Sequence, residues 1–228
     1  MLIRHLSHGK DFRLNRCPGS VDHYSDYIET LRSKYDAHFG SEPSTVFPGH
    51  EYWDDSAGVP AIDVFVYRKE DTGRPHDVLI TAGMSRQPMD FLPTYEGERW
   101  ASELIWYFDE ADRHDLQTTQ WLAGLPFYDR FVLGFGHTVH FGMPIFEGGH
   151  LRHFLLLNTL VKIDARLFDD FHAAAHPVDL LWVVPLSERE YRLKREQGID
   201  GLMPVFAENA HPVTVDKQRG CYLGGEGA

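Results

Sequence analysis

The sequence predicts an α+β fold, a mixed and largely antiparallel sheet covered by helices. Three observations carry that expectation. Short runs rich in branched and aromatic side chains recur at 62–67, 77–81, 103–108, 153–157 and 180–184, the mark of buried strands. Helix-spaced apolar segments are interspersed with these runs without regular βαβ alternation, which favours strand pairs backed by helices. The stretch 179–206 reads strand, helix, helix, with every local signal in agreement.

In chain order, residues 1–19 are mixed and expected to be loosely held. Residues 20–38 place Val21, Tyr24, Tyr27, Ile28, Leu31 and Tyr35 on one helical face, and Gly40 supplies the stop. Residues 41–60 hold three prolines and two glycines, a long loop whose Tyr52 and Trp53 are expected to pack onto the domain. The strands at 62–67 and 77–81 flank a polar turn with Gly73, which suggests an antiparallel hairpin with a longer loop than the two-residue kind. A third strand, 103–108, follows the turn-prone residues 93–97. Residues 116–132 read as a helix that Pro126 breaks or kinks.

A glycine-rich stretch holds a short strand at 137–141, and 153–157 is another strand. Residues 167–175 predict a short helical turn before Pro177. The strand at 180–184 is closed by Pro185, because proline removes a ladder donor. Ser187 and Glu190 then fit the S-x-x-E capping box, with Leu186 and Tyr191 at the staple positions. Gly198 falls where a helix stop is expected, and Ile199, Leu202, Met203 and Phe206 repeat at helical spacing after it. The tail 220–228 is glycine-rich and expected to fray.

With no repeat, linker or composition break, the 228 residues read as a single domain, 1–228. The formal net charge of −12 should repel nucleic acid and anionic membrane and attract basic partners by long-range steering. It also serves simple solubility. Two cysteines, Cys17 and Cys221, fit a reducing compartment better than a secreted scaffold, although a disulfide tying the termini stays open. The first residues carry no apolar signal core and no run approaches ~18 apolar residues. The expectation is a cytoplasmic protein.

Fourteen histidines invite a metal site. The close pairs are His137/His140, His150/His153 and His172/His176, but no zinc-peptidase or zinc-finger spacing is present. The expectation is therefore no bound metal and no cofactor, with a histidine-based metal-dependent hydrolase as the alternative reading. Ser85, after Gly83 and Met84, is the nearest approach to a nucleophile turn but lacks the second glycine. No catalytic residue is assigned. The acidic segment Asp109, Glu110, Asp112 and Asp115 is the candidate partner-binding surface; equally, carboxylates there suit a helix start.

Several segments together resemble the suppressor of fused (SUFU) domain family. They are 62–67; Leu79 through Ser85 with Pro88 and Met89; Glu103 and Leu104; Gly136 through Val139; Val183 through Glu190 with Gly198 and Ile199; and Asp216 with Arg219. Together they span about 60–220, and each is weak alone. Pro204 departs from the uninterrupted last helix of the family unless Asp200 caps that helix.

The resemblance implies a SUFU-like fold and a non-enzymatic protein-binding domain. Animal members join this domain to a second one and clamp a transcription-factor segment, partly by strand addition. Bacterial members are single domains of about this length, many resembling immunity proteins that neutralise toxins. The implied partner is a protein, with a basic toxin domain the natural match for an acidic chain. A scaffold subunit with several weak partners is the blander option.

Overall fold

The computed structural model describes residues 21–49, 59–89, 100–173 and 176–224. Its strands are β1 (Thr45–Phe47), β2 (Asp63–Tyr67), β3 (Asp77–Ala82), β4 (Ala101–Phe108), β5 (Thr138–His140), β6 (Leu151–Asn158), β7 (His172–Ala173) and β8 (His176–Ser187). The helices are α1 (Val21–Phe39), α2 (Lys69–Thr72), α3 (Arg113–Asp129) and α4 (Glu188–Glu208). The strands lie in the order β1-β2-β3-β4-β8-β6-β5, and β7 pairs with β8 off that path. Every neighbouring pair is antiparallel except β4–β8, which is parallel. The sheet is thus mixed and largely antiparallel, as expected.

Strand alternation builds two cores. Leu104, Trp106 and Phe108 of β4 face one side, packed with Val64, Leu79, Phe154 and Val183 beneath Leu116, Leu122, Ala123 and Phe127 of α3. Ile105 and Tyr107 face the other side, with Phe65, Ile80, Leu155, Trp182 and Val184. There α1 lays down Ile28, Leu31, Tyr35 and Phe39, and α4 adds Leu202 and Phe206. A sheet covered on both faces has apolar side chains pointing both ways, so its strands read as continuous runs.

Several local expectations hold in detail. Gly40 has φ 75° and its N–H donates to Asp36 O at 2.8 Å, ending α1. The Ser187–Glu190 capping box is present in both directions. Leu186 and Tyr191 join the same core, as a staple requires. Gly198 interrupts α4 at φ 74°, ψ −170°, a region open essentially to glycine alone. Pro204 lies inside the following helix.

Other expectations are corrected. The loop 41–60 contains the edge strand β1. The polar turn after β2 is the single helical turn α2, closed by Gly73 at φ 68°. Of the expected helical turn at 167–175, the described residues 167–173 are not helical: a 3-10 turn at Asp164–Arg166 precedes them, and His172 and Ala173 form β7. Pro126 sits inside the last turn of α3, which ends at Asp129. Pro185 does not close its strand; β8 continues through it, opposite Phe154 of β6. The reason is positional. The β4–β8 pairing stops at Ile105–Trp182, so Pro185 has no ladder neighbour on that flank to miss its N–H. Residues 1–19, Cys17, Tyr52, Trp53 and 93–97 lie outside the described residues.

The place beside the end of β4 that β8 vacates is taken by a later segment. Val215 forms a parallel bridge with Phe108, and its N–H donates to Tyr107 O at 2.9 Å. A buried ion pair holds that segment. Arg219 reaches Glu190 through Nη1–Oε1 at 2.6 Å and Nη2–Oε2 at 2.9 Å, and donates to Pro185 O at 2.8 Å. Glu190 also accepts from Ser187 N and Tyr222 N, at 2.9 and 3.0 Å. Arg189 donates to Gly224 O, so the chain is held as far as residue 224.

Burial works to raise the Glu190 carboxyl, but the Arg219 hydrogen bonds and charge and two backbone donors outweigh it and hold it below the ordinary value. A depressed carboxyl contributes stability above its unfolded pKa and loses it as pH falls through the folded one. Arg219→Ala strands that carboxylate and should cost roughly 3–5 kcal/mol in urea unfolding at pH 7. Its stability deficit relative to wild type should shrink on acidification below about pH 4. A deficit under about 1 kcal/mol would mean the pair is not a buried lock.

Candidate partner-binding surface

The nearest approach to a nucleophile turn is sealed. Ser85 lies in the 3-10 turn Met84–Arg86 after β3 and is fully buried. Glu103 of β4, also fully buried, accepts from Ser85 Oγ at 2.5 Å, Ser85 N at 2.9 Å, Gly83 N at 3.0 Å and Thr81 Oγ1 at 2.6 Å. Thr81 Oγ1 in turn accepts from Leu104 N at 2.7 Å, and Tyr27 Oη lies 2.7 Å from Ser85 Oγ. Gly83 has φ 115°, and a Cβ there would stand 2.5 Å from Ala61 O, so only glycine fits. Glu103 is a hub that folds the β3–β4 connection. Desolvation raises its pKa to about 7 against the pull of the four donors.

The histidines meet across strands rather than along the chain. His140 of β5 is paired in register with His153 of β6, and their Nδ1 atoms lie 3.3 Å apart. His153 Nε2 contacts Glu188 Oε2 at 2.8 Å, and its ring stacks on Tyr191. His137 Nδ1 is bonded to Val132 O at 2.7 Å. His150 and His172 are exposed. Among the described residues, no three His, Cys, Asp or Glu side chains are grouped to hold a metal ion. Cys221 is a half-buried free thiol.

The acidic segment divides by role. Asp112 is the N-cap of α3 and forms a reciprocal capping box with Asp115. Lys217 Nζ donates to Asp112 Oδ2 at 2.8 Å and Asp115 Oδ2 at 2.7 Å. Asp115 is fully buried, and its Oδ1 has no partner. Burial prevails there and raises its carboxyl, whereas at Asp112 burial is outweighed by Lys217 and two backbone donors, and the carboxyl is lowered. Asp109 and Glu110 are exposed. Together with Phe108, Val215, Asp216 and Lys217 they line an open groove of about 510 Å³. Its acidic rim comes from the end of β4 and from the segment that Arg219 anchors. Sequence reasoning found the first wall through charge density. It missed Lys217 and grouped Asp216 only with the family motif, since nothing local brings residue 216 beside residue 109.

Glu103→Gln removes the titrating group and keeps its shape. A folded pKa above the unfolded one makes native stability fall as pH rises from about 4.5 to about 7. The wild-type unfolding free energy minus that of the variant should therefore drop by roughly 2–3 kcal/mol between pH 5 and pH 8. Parallel curves would remove Glu103 as the source.

A family model described as "Suppressor of fused protein (SUFU)" matches residues 58–220. No curated protein sequence matches. Among solved structures, a protein described as a suppressor of fused homologue from Neisseria gonorrhoeae superimposes with a TM-score of 0.64 at 18% identity, covering 87% of this chain and 97% of that one. A chain of the Sufu–Fu complex gives 0.62 at 14%, covering 86% and 92%. Drosophila Suppressor of Fused gives 0.53 at 13%, covering 71% of this chain and 42% of that one. At these identities the structural likeness speaks to the fold.

Proposed function

The chain belongs to the suppressor of fused family, and from that premise we propose that it is a non-enzymatic binding domain that captures and neutralises a basic toxin domain. One observation carries the reading: Asp109, Glu110 and Asp216 rim an open groove whose walls are fixed by the buried Glu190–Arg219 pair and the part-buried Asp115–Lys217 pair. A preorganised acidic groove on a chain of net charge −12 suits fast capture of a cationic partner. The residues most reminiscent of chemistry, Ser85 and Glu103, are fully buried and spent on each other. That a relative was crystallised in a Sufu–Fu complex adds a protein-binding precedent for the fold. No helix among the described residues is long and apolar enough to cross a membrane.

Capture is tested by co-expression with the products of the genes that flank this one and with a panel of basic toxin domains. Relief of growth arrest by one of them, with a stable purified complex, is the expected result. No relief and no complex with any of them would remove the toxin reading. Against the partner so found, Asp109→Lys with Glu110→Lys should slow association roughly tenfold at low salt and flatten its salt dependence. Unchanged association would exclude the groove.

A further inference from the structure

A second surface differs from the acidic groove in both charge and polarity. Leu160 and Ile163 are 66% and 59% exposed, the highest values among the described large apolar residues. Between the end of α1 and the turn after β6 lies an open depression lined by His38, Lys162, Ile163 and Arg166. Lys162 and Arg166 are exposed and form no ion pair among the described residues. These two cations flank the bare apolar side chain of Ile163 in the same depression.

This turn is held rigidly. Asp164, fully buried, contacts His38 Nε2 at 2.7 Å and accepts Arg74 Nη1 at 2.8 and 2.9 Å and Tyr107 Oη at 2.8 Å. Tyr107 Oη also meets Thr159 Oγ1 at 2.7 Å, and Val161 N donates to that same oxygen at 3.2 Å. Asp164 N and Ala165 N both donate to Val161 O. Leu167 and Phe168 then plunge into the core. The exposed Leu160 and Ile163 therefore sit on a fixed platform, so docking there costs little ordering entropy.

We propose that the 159–166 turn and the His38 end of α1 form a docking surface for an acidic protein segment that carries an apolar side chain. The cations select carboxylates, and Leu160 and Ile163 supply apolar contact area. A flat anionic lipid surface fits less well. Asp169 and Asp170 are exposed just beyond Arg166 and add like charge against an extended anionic surface, whereas a short segment seated in the depression is lined by His38, Lys162, Ile163 and Arg166. This surface is separate from the acidic groove, and either reading can fail alone.

The test titrates the isotope-labelled full chain with the peptide Ac-EELEELEE-NH2, following backbone amide shifts. The controls are Ac-EESEESEE-NH2, Ac-KKLKKLKK-NH2 and phosphatidylserine vesicles. The expected result is shifts confined to 159–166 and His38, weakened by salt, and weaker with the serine peptide. Lys162→Glu with Arg166→Glu should lower the affinity at least about tenfold, and Ile163→Ser several-fold, with unchanged melting temperatures. Absence of localised shifts, equal shifts at 159–166 with the lysine peptide, indifference to the substitutions, or vesicle binding in place of peptide binding would each overturn the proposal.

Discussion

The contact between Glu190 and Arg219 holds one wall of the acidic groove in place. One carboxylate caps the start of α4, grips a guanidinium at two oxygens and receives the backbone of Tyr222. The guanidinium meanwhile takes the carbonyl of Pro185. Two stretches of chain far apart in sequence, 185–190 and 219–222, thus meet at one charge pair, at a site 0% and 6% exposed. A buried pair is costly to desolvate and is no general source of stability. Its value here is positional: it fixes the path of residues 211–222, and so lays Val215 beside Phe108 and builds the second wall of the acidic groove.

The same division of labour recurs. Asp77, Asp164 and Glu103 are buried carboxylates surrounded by donors, each at a junction between elements. At Asp77 and Asp164 burial is outweighed by donors, including arginines, and the carboxyls stay low. Glu103 has hydroxyl and amide donors but no arginine, and burial wins. What resembles reactive chemistry in the linear sequence, a serine after glycine near an acid, is a folding device. The exposed carboxylates Asp109, Glu110 and Asp216 join no such buried junction, although Asp216 Oδ1 accepts from Gln218 N at 2.9 Å in its own turn.

Local signals were the legible part of the sequence. The capping box at Ser187, the stops at Gly40 and Gly198, and the strands of the sheet's centre could all be placed because neighbours in sequence determine them. Pro185 misled because its local rule, that proline ends a strand, depends on whether a second strand lies alongside. β1 was missed because three residues carry too little pattern, and it exists by pairing with β2. The candidate site was half legible. Charge density marked residues 109–115, yet burial of Asp115 and its bond to Lys217 depend on a contact 102 positions away. The His140–His153 meeting likewise follows from strand register rather than spacing.

Hydrogen–deuterium exchange of the chain, free and bound to the protein partner that co-expression identifies, tests the central claim most directly. The account predicts new protection concentrated at residues 108–112 and 212–218, the two walls of the groove. Protection centred elsewhere, with those two stretches exchanging as in the free protein, would contradict it.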